Sequence, residues 1–352
     1  MKKLRLALLI LCLLAYAGGC ALRTDQSARR GETGQAAQTS ALRQTGRIPL
    51  PGVEGRIDHM ALDQKGGRLF VAALGNGTVE VVDTKSGRRI DEIEGLEEPQ
   101  GVAYLPDAGR LLVTNGGGDS LKIYDGRSLR PVDEVRLGTD PDNVRYDPAS
   151  GRAYVGYGGG GDGAAIGVVD VAKGEKVADV GLSGHPESFQ LEKKGERIFV
   201  DVPESGGIEV ADREKGDVVD TWPIREAGDN FPMALDEADR RLFVGTRSPA
   251  RLLVLDTATG KTVASLDAPG DADDVFYDAK AKRIYVSGGD GTIGVFEQKD
   301  PDAYERVGEV PTAEGARTSL FVPETGTFYL AVPRGGQGEE AEIRVYETQP
   351  GK

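Results

Sequence analysis

Short runs of alternating apolar and polar residues fill the chain after residue 50, and Gly, Asp or Asn separates one run from the next. The stretch from Gly55 to Asp83 shows the unit, with the apolar run Arg68-Leu-Phe-Val at its centre and Thr78-Val-Glu-Val-Val-Asp83 after a Gly/Asn loop. Alternation of this kind, rich in β-branched residues, is typical of strands, and the Gly and Asn residues are typical of tight turns. The pattern therefore predicts an all-β chain.

The unit recurs along the chain, and its clearest marker is a basic residue followed by an apolar strand. The markers begin at Arg68, Arg110, Arg152, Arg197, Arg241 and Arg283, with a degenerate copy at Thr327. Successive markers are 42 to 45 residues apart, which is the length of one four-stranded propeller blade. Seven copies predict a seven-bladed β-propeller in which each blade has strands A to D and the marker is strand B.

The seventh repeat has no fourth strand of its own. It ends at strand C, Ile343-Arg-Val-Tyr346, whereas Gly46-Arg-Ile-Pro-Leu50 stands ahead of the first repeat and has the pattern of a strand. A strand from the front of the chain would close the ring and cover two sheet edges. We therefore predict a propeller over residues 46–349 with an N-terminal strand closing blade 7.

Leu112-Val-Thr-Asn115, together with the repeated Gly-Arg-Leu-Phe-Val and Thr-Val-Glu-Val-Val-Asp patterns, resembles the YVTN-repeat, YncE-like family of seven-bladed β-propellers. The resemblance covers about residues 46–347. It implies a bacterial envelope protein, here in lipoprotein form. That family contains envelope proteins of unknown role and is similar to propeller lactonases and to binding scaffolds, so the resemblance implies a fold more sharply than a function.

Residues 1–19 have the composition of a lipoprotein signal peptide. A basic start at Lys2 precedes an apolar run from Leu6 to Ala17, which is too short to span a membrane. Ala17-Gly-Gly-Cys20 resembles a bacterial lipobox, which would make Cys20 the lipidated first residue of the mature chain. Ala21 after that cysteine favours the outer membrane. A secretory signal cleaved nearby is the alternative.

Residues 20–45 are rich in Gln, Ala, Ser, Thr and Gly without periodicity, so we predict a flexible, lipid-anchored tether. The predicted location is the cell envelope, with the protein on the outer membrane facing the periplasm or on the cell surface. Membrane contact is expected through the lipid anchor alone. The chain has 2 Cys, and Cys12 lies in the signal segment, so no thiol remains for disulfides or thiolate metal sites.

A formal charge of -14 argues against nucleic acid as a partner, because phosphate binding needs a basic surface. The expected partner is a small polar or anionic ligand, or an envelope protein, and the expected oligomeric state is a monomer.

Loops on one face of a propeller, D to A and B to C, surround the central channel and carry most of its ligand contacts. Alignment on strand B predicts a pair of residues ahead of each strand A. The pairs are Asp58-His59, Gln100-Gly101, Asp142-Asn143, Glu187-Ser188, Phe231-Pro232, Asp273-Asp274 and Thr318-Ser319. The positions just before add His185, Asn230 and Arg317, and the B–C loops add Asn76, Asn115, Tyr157, Asp201, Arg247 and Arg334. These polar residues differ between blades, unlike structural positions in a repeat, and so predict a ligand site at the channel mouth.

The chemistry of these side chains allows two kinds of site. Asp58, His59, Asp142, Glu187 and Asp273 have the donor types for a divalent metal such as Ca or Zn, or for an acid/base pair. Arg247, Arg317 and Arg334 have the fork geometry to clamp a carboxylate or phosphate. The candidate ligand-binding residues are Asp58, His59, Gln100, Asp142, Asn143, His185, Glu187, Asn230, Arg247, Asp273, Asp274, Arg317 and Arg334. For each one, ordinary turn chemistry before a strand is the alternative.

Three functions are compatible with this sequence. The first is a ligand- or protein-binding module that uses the polar mouth of the channel. The second is a metal-dependent lactonase or lyase that uses the same carboxylates and His. The third is a non-catalytic scaffold of an envelope complex. Spacing assembles no complete catalytic constellation, so no catalytic residue is assigned and the binding module ranks first.

Overall fold

The computed structural model describes residues 41–159, 163–335 and 339–349, without the side chains of residues 230 and 231. They form seven four-stranded antiparallel sheets, which confirms the predicted seven-bladed β-propeller. The predicted signal peptide, Cys20 and most of the predicted tether lie outside the described residues. Among the described residues, no helix has the length and hydrophobicity needed to cross a bilayer.

The strands follow one another blade by blade. The first strand, β1, is Leu42–Leu50. Blade 1 contains β2 (Met60–Asp63), β3 (Arg68–Ala73), β4 (Thr78–Asp83) and β5 (Arg88–Ile93). Blade 2 contains β6 (Pro99–Leu105), β7 (Arg110–Asn115), β8 (Ser120–Asp125) and β9 (Pro131–Arg136). Blade 3 contains β10 (Val144–Asp147), β11 (Arg152–Tyr157), β12 (Ala164–Asp170) and β13 (Glu175–Leu182).

The second half of the ring continues the series. Blade 4 contains β14 (Ser188–Leu191), β15 (Arg197–Val202), β16 (Gly207–Asp212) and β17 (Asp217–Pro223). Blade 5 contains β18 (Gly228–Asp236), β19 (Arg241–Ser248), β20 (Ala250–Asp256) and β21 (Thr262–Asp267). Blade 6 contains β22 (Ala272–Asp278), β23 (Arg283–Gly288), β24 (Thr292–Asp300) and β25 (Ala303–Pro311). Blade 7 contains β26 (Ser319–Val322), β27 (Thr327–Val332) and β28 (Ala341–Thr348). Short 3₁₀ turns, Leu74–Asn76, Gly116–Gly118 and Pro203–Ser205, lie in three B–C loops.

Blade 7 is completed by β1, which pairs antiparallel with β28 in the order β1-β28-β27-β26. The N-terminal strand therefore closes the ring, as predicted. It begins at Leu42, earlier than the predicted start at Gly46, so residues 42–45 belong to the sheet and not to the tether. Leu50 and Ile48 of this strand are buried with Val71 of blade 1 and Ile343 of β28 in one apolar cluster, so the closing strand also joins the last blade to the first.

A single bulged residue marks the outermost strand of every blade. In blades 1 to 6 the pairing of strands C and D skips one residue of strand D, and the skipped residues are Ile90, Val132, Val177, Val219, Val263 and Val307. In β1 the pairing passes from Gln44 to Gly46 and skips Thr45. All seven are β-branched, so β1 has the geometry of an ordinary strand D. A bulge in an edge strand increases its twist and opposes pairing with another chain.

In blades 1, 4, 5 and 6, the arginine that marks strand B connects its blade to the next one. Arg197 donates from Nη1 to the carbonyl of Thr257 at 2.5 Å, and Arg241 donates from Nε to the carbonyl of Pro301 at 2.7 Å. Arg68 makes the same contact with Gly126 of the next blade, and Arg283 with Gln349. The most regular feature of the repeat is therefore structural, and it lies at the C–D turns, on the face opposite to the D–A loops.

Candidate functional site

The D–A loops bring seven equivalent positions together around one end of the central channel. The pairing register aligns Met60 with Val71 in blade 1 and Ser319 with Leu330 in blade 7. Both partners are the fourth residue of strand B, so Arg317-Thr318 is the equivalent of Asp58-His59. The predicted pair Thr318-Ser319 is wrong by one residue. The ring of equivalent positions is Asp58, Gln100, Asp142, Glu187, Phe231, Asp273 and Arg317.

Two adjacent cavities occupy this end of the channel. The deeper one has a volume of about 370 Å³ and is lined by strand A residues from all seven blades. The outer one has a volume of about 430 Å³ and includes His185, Gln100 and Thr139 in its lining. Arg56, Asp142 and Glu187 line both. A cavity of several hundred Å³ with convergent polar groups is typical of a small-ligand site.

One side of the mouth, formed by blades 1 and 3, places His59 between two carboxylates. Its Nε2 lies 3.7 Å from Asp58 Oδ1 and 3.6 Å from Asp142 Oδ1. Asp58 is 2% exposed and Asp142 8%. Among the described residues, Asp58 Oδ2 and Asp142 Oδ1 are buried without a hydrogen bond. Buried carboxylate oxygens without such a partner are uncommon in folded proteins, and they are candidate ligands for an ion or a water.

Burial and charge act in opposite directions on these three groups. Burial raises the pKa of Asp58 to about 6, although the neighbouring His59 lowers it. Burial disfavours the His59 imidazolium, but Asp58 and Asp142 outweigh this and raise its pKa to about 10. Burial also acts against ionisation of Asp142, and the close approach and charge of His59 lower its pKa overall. In the absence of a bound cation, a proton on His59, together with Arg56 beside Asp58, therefore offsets the charge of the two carboxylates.

The other side of the mouth, formed by blades 5 to 7, is a network of arginines and aspartates. Arg247 Nη2 lies 2.5 Å from Asp273 Oδ1, and Arg317 Nε lies 2.9 Å from Asp273 Oδ2. Arg317 Nη1 also donates to both oxygens of Asp271 at 2.8 and 2.9 Å. Each guanidinium therefore faces carboxylates of this chain. An anionic ligand would have to compete with these carboxylates for the two predicted clamp residues, Arg247 and Arg317.

Arg56 links the two sides. Its Nη2 lies 2.8 Å from Asp58 Oδ2 and 3.9 Å from Asp273 Oδ2. Burial acts against its charge, but Asp58 and Asp273 raise its pKa overall. The contact with Asp58 is an ion pair without hydrogen-bond geometry, so that carboxylate is only partly satisfied.

Two carboxyl groups beside the cluster, those of Glu187 and Asp274, have a pKa close to 7. Burial raises the pKa of Glu187 to about 7, with Asp142 and Asp273 adding to the effect against His185. Burial likewise raises the pKa of Asp274 to about 7, although its Oδ2 accepts a hydrogen bond from the Ser319 amide at 2.7 Å. Both groups therefore exchange protons in the range where proton transfer between a protein and a ligand is effective.

The remaining predicted residues are distributed more widely. Gln100 Nε2 donates to Asp140 Oδ1 at 2.6 Å, and Asn143 Nδ2 donates to the Glu187 carbonyl at 2.7 Å. His185 contacts the Gly158 carbonyl through Nδ1 in the outer cavity. Arg334 pairs with Glu54 on the surface and lines neither cavity.

Two residues predicted from the B–C loops, Tyr157 and Asp201, line neither cavity. The hydroxyl of Tyr157 donates to Asp179 of β13, away from the channel, at 2.7 Å. Asp201 is fully buried, and burial followed by the charge of Glu187 raises its pKa well above the usual range. The side chain of Asn230 lies outside what the structure describes.

Sequence reasoning missed Arg56, Asp271 and Arg145. Arg56 and Asp271 each stand two residues ahead of a predicted position in the same loop. Arg145 lies on strand A of blade 3, three residues after Asp142, and it lines the deeper cavity. Comparison of the blades position by position would have found it, because the equivalent residues are uncharged.

The cluster of Asp58, His59 and Asp142 fits the geometry of a transition-metal site. One donor atom from each residue lies within 4.8 Å of the other two. Two ligands at about 2.1 Å from Zn²⁺ in tetrahedral geometry are about 3.4 Å apart, which is close to the separations of 3.6 and 3.7 Å from His59 Nε2. Ca²⁺ fits less well, because it takes six to eight oxygen ligands. Of the five predicted metal ligands, Glu187 and Asp273 are outside this cluster.

Solved structures share the fold. A chain of the Kuenenia stuttgartiensis hydrazine synthase is 21% identical with a TM-score of 0.70, covering 80% of this chain and 95% of that one. A chain of a mitotic checkpoint complex is 15% identical with a TM-score of 0.71, covering 96% of this chain and 99% of that one. A scan of family models and a search of curated proteins found no match. The chain is a seven-bladed β-propeller, a fold compatible with a binding module or a scaffold.

Proposed function

We propose that this protein is a ligand-binding propeller of the cell envelope that holds one divalent transition-metal ion at its channel mouth. The observation that carries the proposal is the His59 imidazole between two buried carboxylates, Asp58 and Asp142, each with one buried oxygen that lacks a hydrogen bond. A metal would replace the proton on His59 and bind one oxygen of each carboxylate. One imidazole with two carboxylates is a donor set suited to Zn²⁺, and remaining coordination positions would face the cavity and its ligand.

Metal analysis of the full-length chain, purified without chelator, tests this proposal. We expect about one Zn²⁺ per chain in the wild type, and binding weakened more than about tenfold in His59→Ala and Asp142→Asn. His185→Ala is the matched control, because it removes the chain's other histidine from the outer cavity and leaves the cluster intact. Wild-type protein without metal, or His59→Ala protein that binds Zn²⁺ as the wild type does, would contradict the proposal.

A metal-dependent lactonase or lyase is the second candidate, and Glu187 favours it. Glu187 lines the same cavity as the cluster, and its pKa of about 7 suits proton transfer at neutral pH. A bound metal would polarise a carbonyl and lower the pKa of a bound water. We expect chelator-sensitive hydrolysis on a lactone panel, lost in Glu187→Gln with the metal retained. Absence of turnover in metal-loaded wild-type protein would leave the binding module alone.

The location of the protein is part of the proposal. The support is the apolar segment from Leu6 to Ala17 followed by Gly-Gly-Cys20, together with the resemblance of the repeats to the YncE-like family. Metabolic labelling with palmitate should mark the wild-type chain and not Cys20→Ser, and fractionation should place the wild type with the outer membrane. Equal labelling of both chains, or none of the wild type, would contradict lipid anchoring.

A further inference from the structure

A single charged residue occupies the layer below the mouth. The residues three positions after the ring of Asp58 equivalents are Ala61, Ala103, Arg145, Gln190, Ala234, Phe276 and Leu320. Arg145 is the one charged member, and it lines the deeper cavity. Three of the seven blades have alanine at this position, and the other three besides blade 3 have uncharged residues. An arginine at one blade of seven therefore indicates a local role.

The guanidinium of Arg145 makes few hydrogen bonds with the described residues. Its carbon lies 5.5 Å from the ring centre of Phe189, so the side chain packs on an aromatic face. Its Nη1 donates to the carbonyl of Val144 at 3.0 Å. Among the described residues no carboxylate lies within ion-pair distance of it, although the charges of Asp274 and Asp142 act on it from farther away. A guanidinium has five N–H donors, and that of Arg145 makes one hydrogen bond within the part of the chain that the structure describes.

The surroundings of Arg145 differ from those of the arginines at the mouth. Burial lowers the pKa of Arg145, whereas Arg247 and Arg317 are neutralised by direct contact with aspartates. Val102, Val144, Met233, Val275 and Leu320 contribute apolar groups to the wall of the deeper cavity, beside polar residues such as Gln190 and Ser319. A desolvated cation binds an anion more strongly than one exposed to water.

We propose that Arg145 anchors the carboxylate of a small organic ligand whose apolar body fills the channel. One guanidinium balances one negative charge, and the carboxylates of Asp142 and Asp274 disfavour a dianion such as a phosphate monoester. The cavity of about 370 Å³ is large enough for a small aromatic or aliphatic acid. This inference deepens the proposed function, because the end of the ligand opposite its carboxylate would lie beside the Asp58–His59–Asp142 cluster.

Calorimetric titration of the full-length protein tests the anchor, with benzoate and hexanoate as probes and with benzamide and phenyl phosphate for comparison. We expect saturable binding of a carboxylate, with benzamide and phenyl phosphate each at least about tenfold weaker. Arg145→Gln should weaken carboxylate binding by at least about tenfold, and Arg145→Lys by less, because lysine keeps the charge without the fork. Arg136→Gln is the matched control, since it removes the same charge from the exposed face of β9.

Several results would overturn the anchor. These are the absence of carboxylate binding, equal binding by wild-type and Arg145→Gln protein, and equal binding of benzamide or tighter binding of phenyl phosphate. The comparison of benzoate with benzamide uses wild-type protein alone, so it stands even if Arg145→Gln fails to fold. Titrations with and without Zn²⁺ separate the two proposals. Zn²⁺ binding without carboxylate binding overturns this inference alone, and carboxylate binding through Arg145 without Zn²⁺ overturns the metal site alone.

Discussion

The two sides of the channel mouth contain the same kinds of residue, but they differ in how their carboxylates are paired. On the side of blades 5 to 7, Asp273 has two arginine partners, with Arg247 Nη2 2.5 Å from Oδ1 and Arg317 Nε 2.9 Å from Oδ2, although Oδ2 lacks hydrogen-bond geometry. On the side of blades 1 and 3, Arg56 pairs with Asp58 at 2.8 Å, whereas Asp142 Oδ1 is buried without a hydrogen bond and lies 3.6 Å from His59 Nε2. Two arginine partners offset the cost of burying a carboxylate. A buried carboxylate oxygen without a hydrogen bond keeps that desolvation cost, which a bound ligand can offset. The positions of the carboxylates alone therefore do not identify the ligand site, whereas the groups paired with them do.

Deletion of residues 46–50 should have the largest effect, because it removes the closing strand and with it both sides of the mouth. We expect blade 7 to lose its fourth strand and amide hydrogens of β28 to exchange rapidly, with loss of cooperative unfolding in urea. Arg47→Ala is the control, since Arg47 is an exposed residue of the same strand paired with Glu342 at 3.3 Å. A deleted chain that unfolds like the wild type would show that β1 does not close the ring.

Asp273→Ala should destabilise the protein by about 2 to 3 kcal/mol, because it leaves Arg247 and Arg317 close together without their shared carboxylate. The estimate is at the low end for buried pairs, since the arginine side chains are 22% and 25% exposed. Urea unfolding measures the effect. Asp267→Ala is the control, because Asp267 is paired with Arg251 on the surface and is 85% exposed. An equal and small effect of both substitutions would remove the contrast between the two sides.

Glu187→Gln should have a smaller effect that depends on pH. The pKa of Glu187 is about 7 in the folded protein and 4.5 in its unperturbed state, so the folded state binds the proton more tightly. Its contribution to stability is fully present below about pH 4.5 and is lost as the pH rises through 7. We expect Glu187→Gln to be more stable than the wild type at pH 8, by roughly 1 to 2 kcal/mol, with the difference shrinking toward pH 4.5.

Urea titrations at pH 8, 7, 6 and 5 check this dependence. Glu324→Gln, a substitution of an exposed turn residue, is the control and should follow the wild type at each pH. If Glu187→Gln also follows the wild type across this range, then Glu187 is ionised in the folded protein and the case for proton transfer at the mouth fails.

The ring could be predicted from the sequence, because the Arg-apolar marker repeats at blade spacing and the seventh copy lacks a strand. The start of β1 could not, since the bulge at Thr45 interrupts the alternation on which the prediction depends. The pairing of Arg247 and Arg317 with Asp273 was also hidden, because spacing gives the loop of a residue and not its partner. Arg145 was missed for a simpler reason, namely that only loop positions were compared between blades.

The closing strand also determines where the two described ends of the chain lie. Gln349 donates its amide to the carbonyl of Ala41, and Arg283 contacts Gln349, so both described ends of the chain meet at the C–D turns. The polar mouth opens at the other end of the channel, among the D–A loops. A group attached at either of these two described ends would therefore lie on the face opposite to the opening with His59.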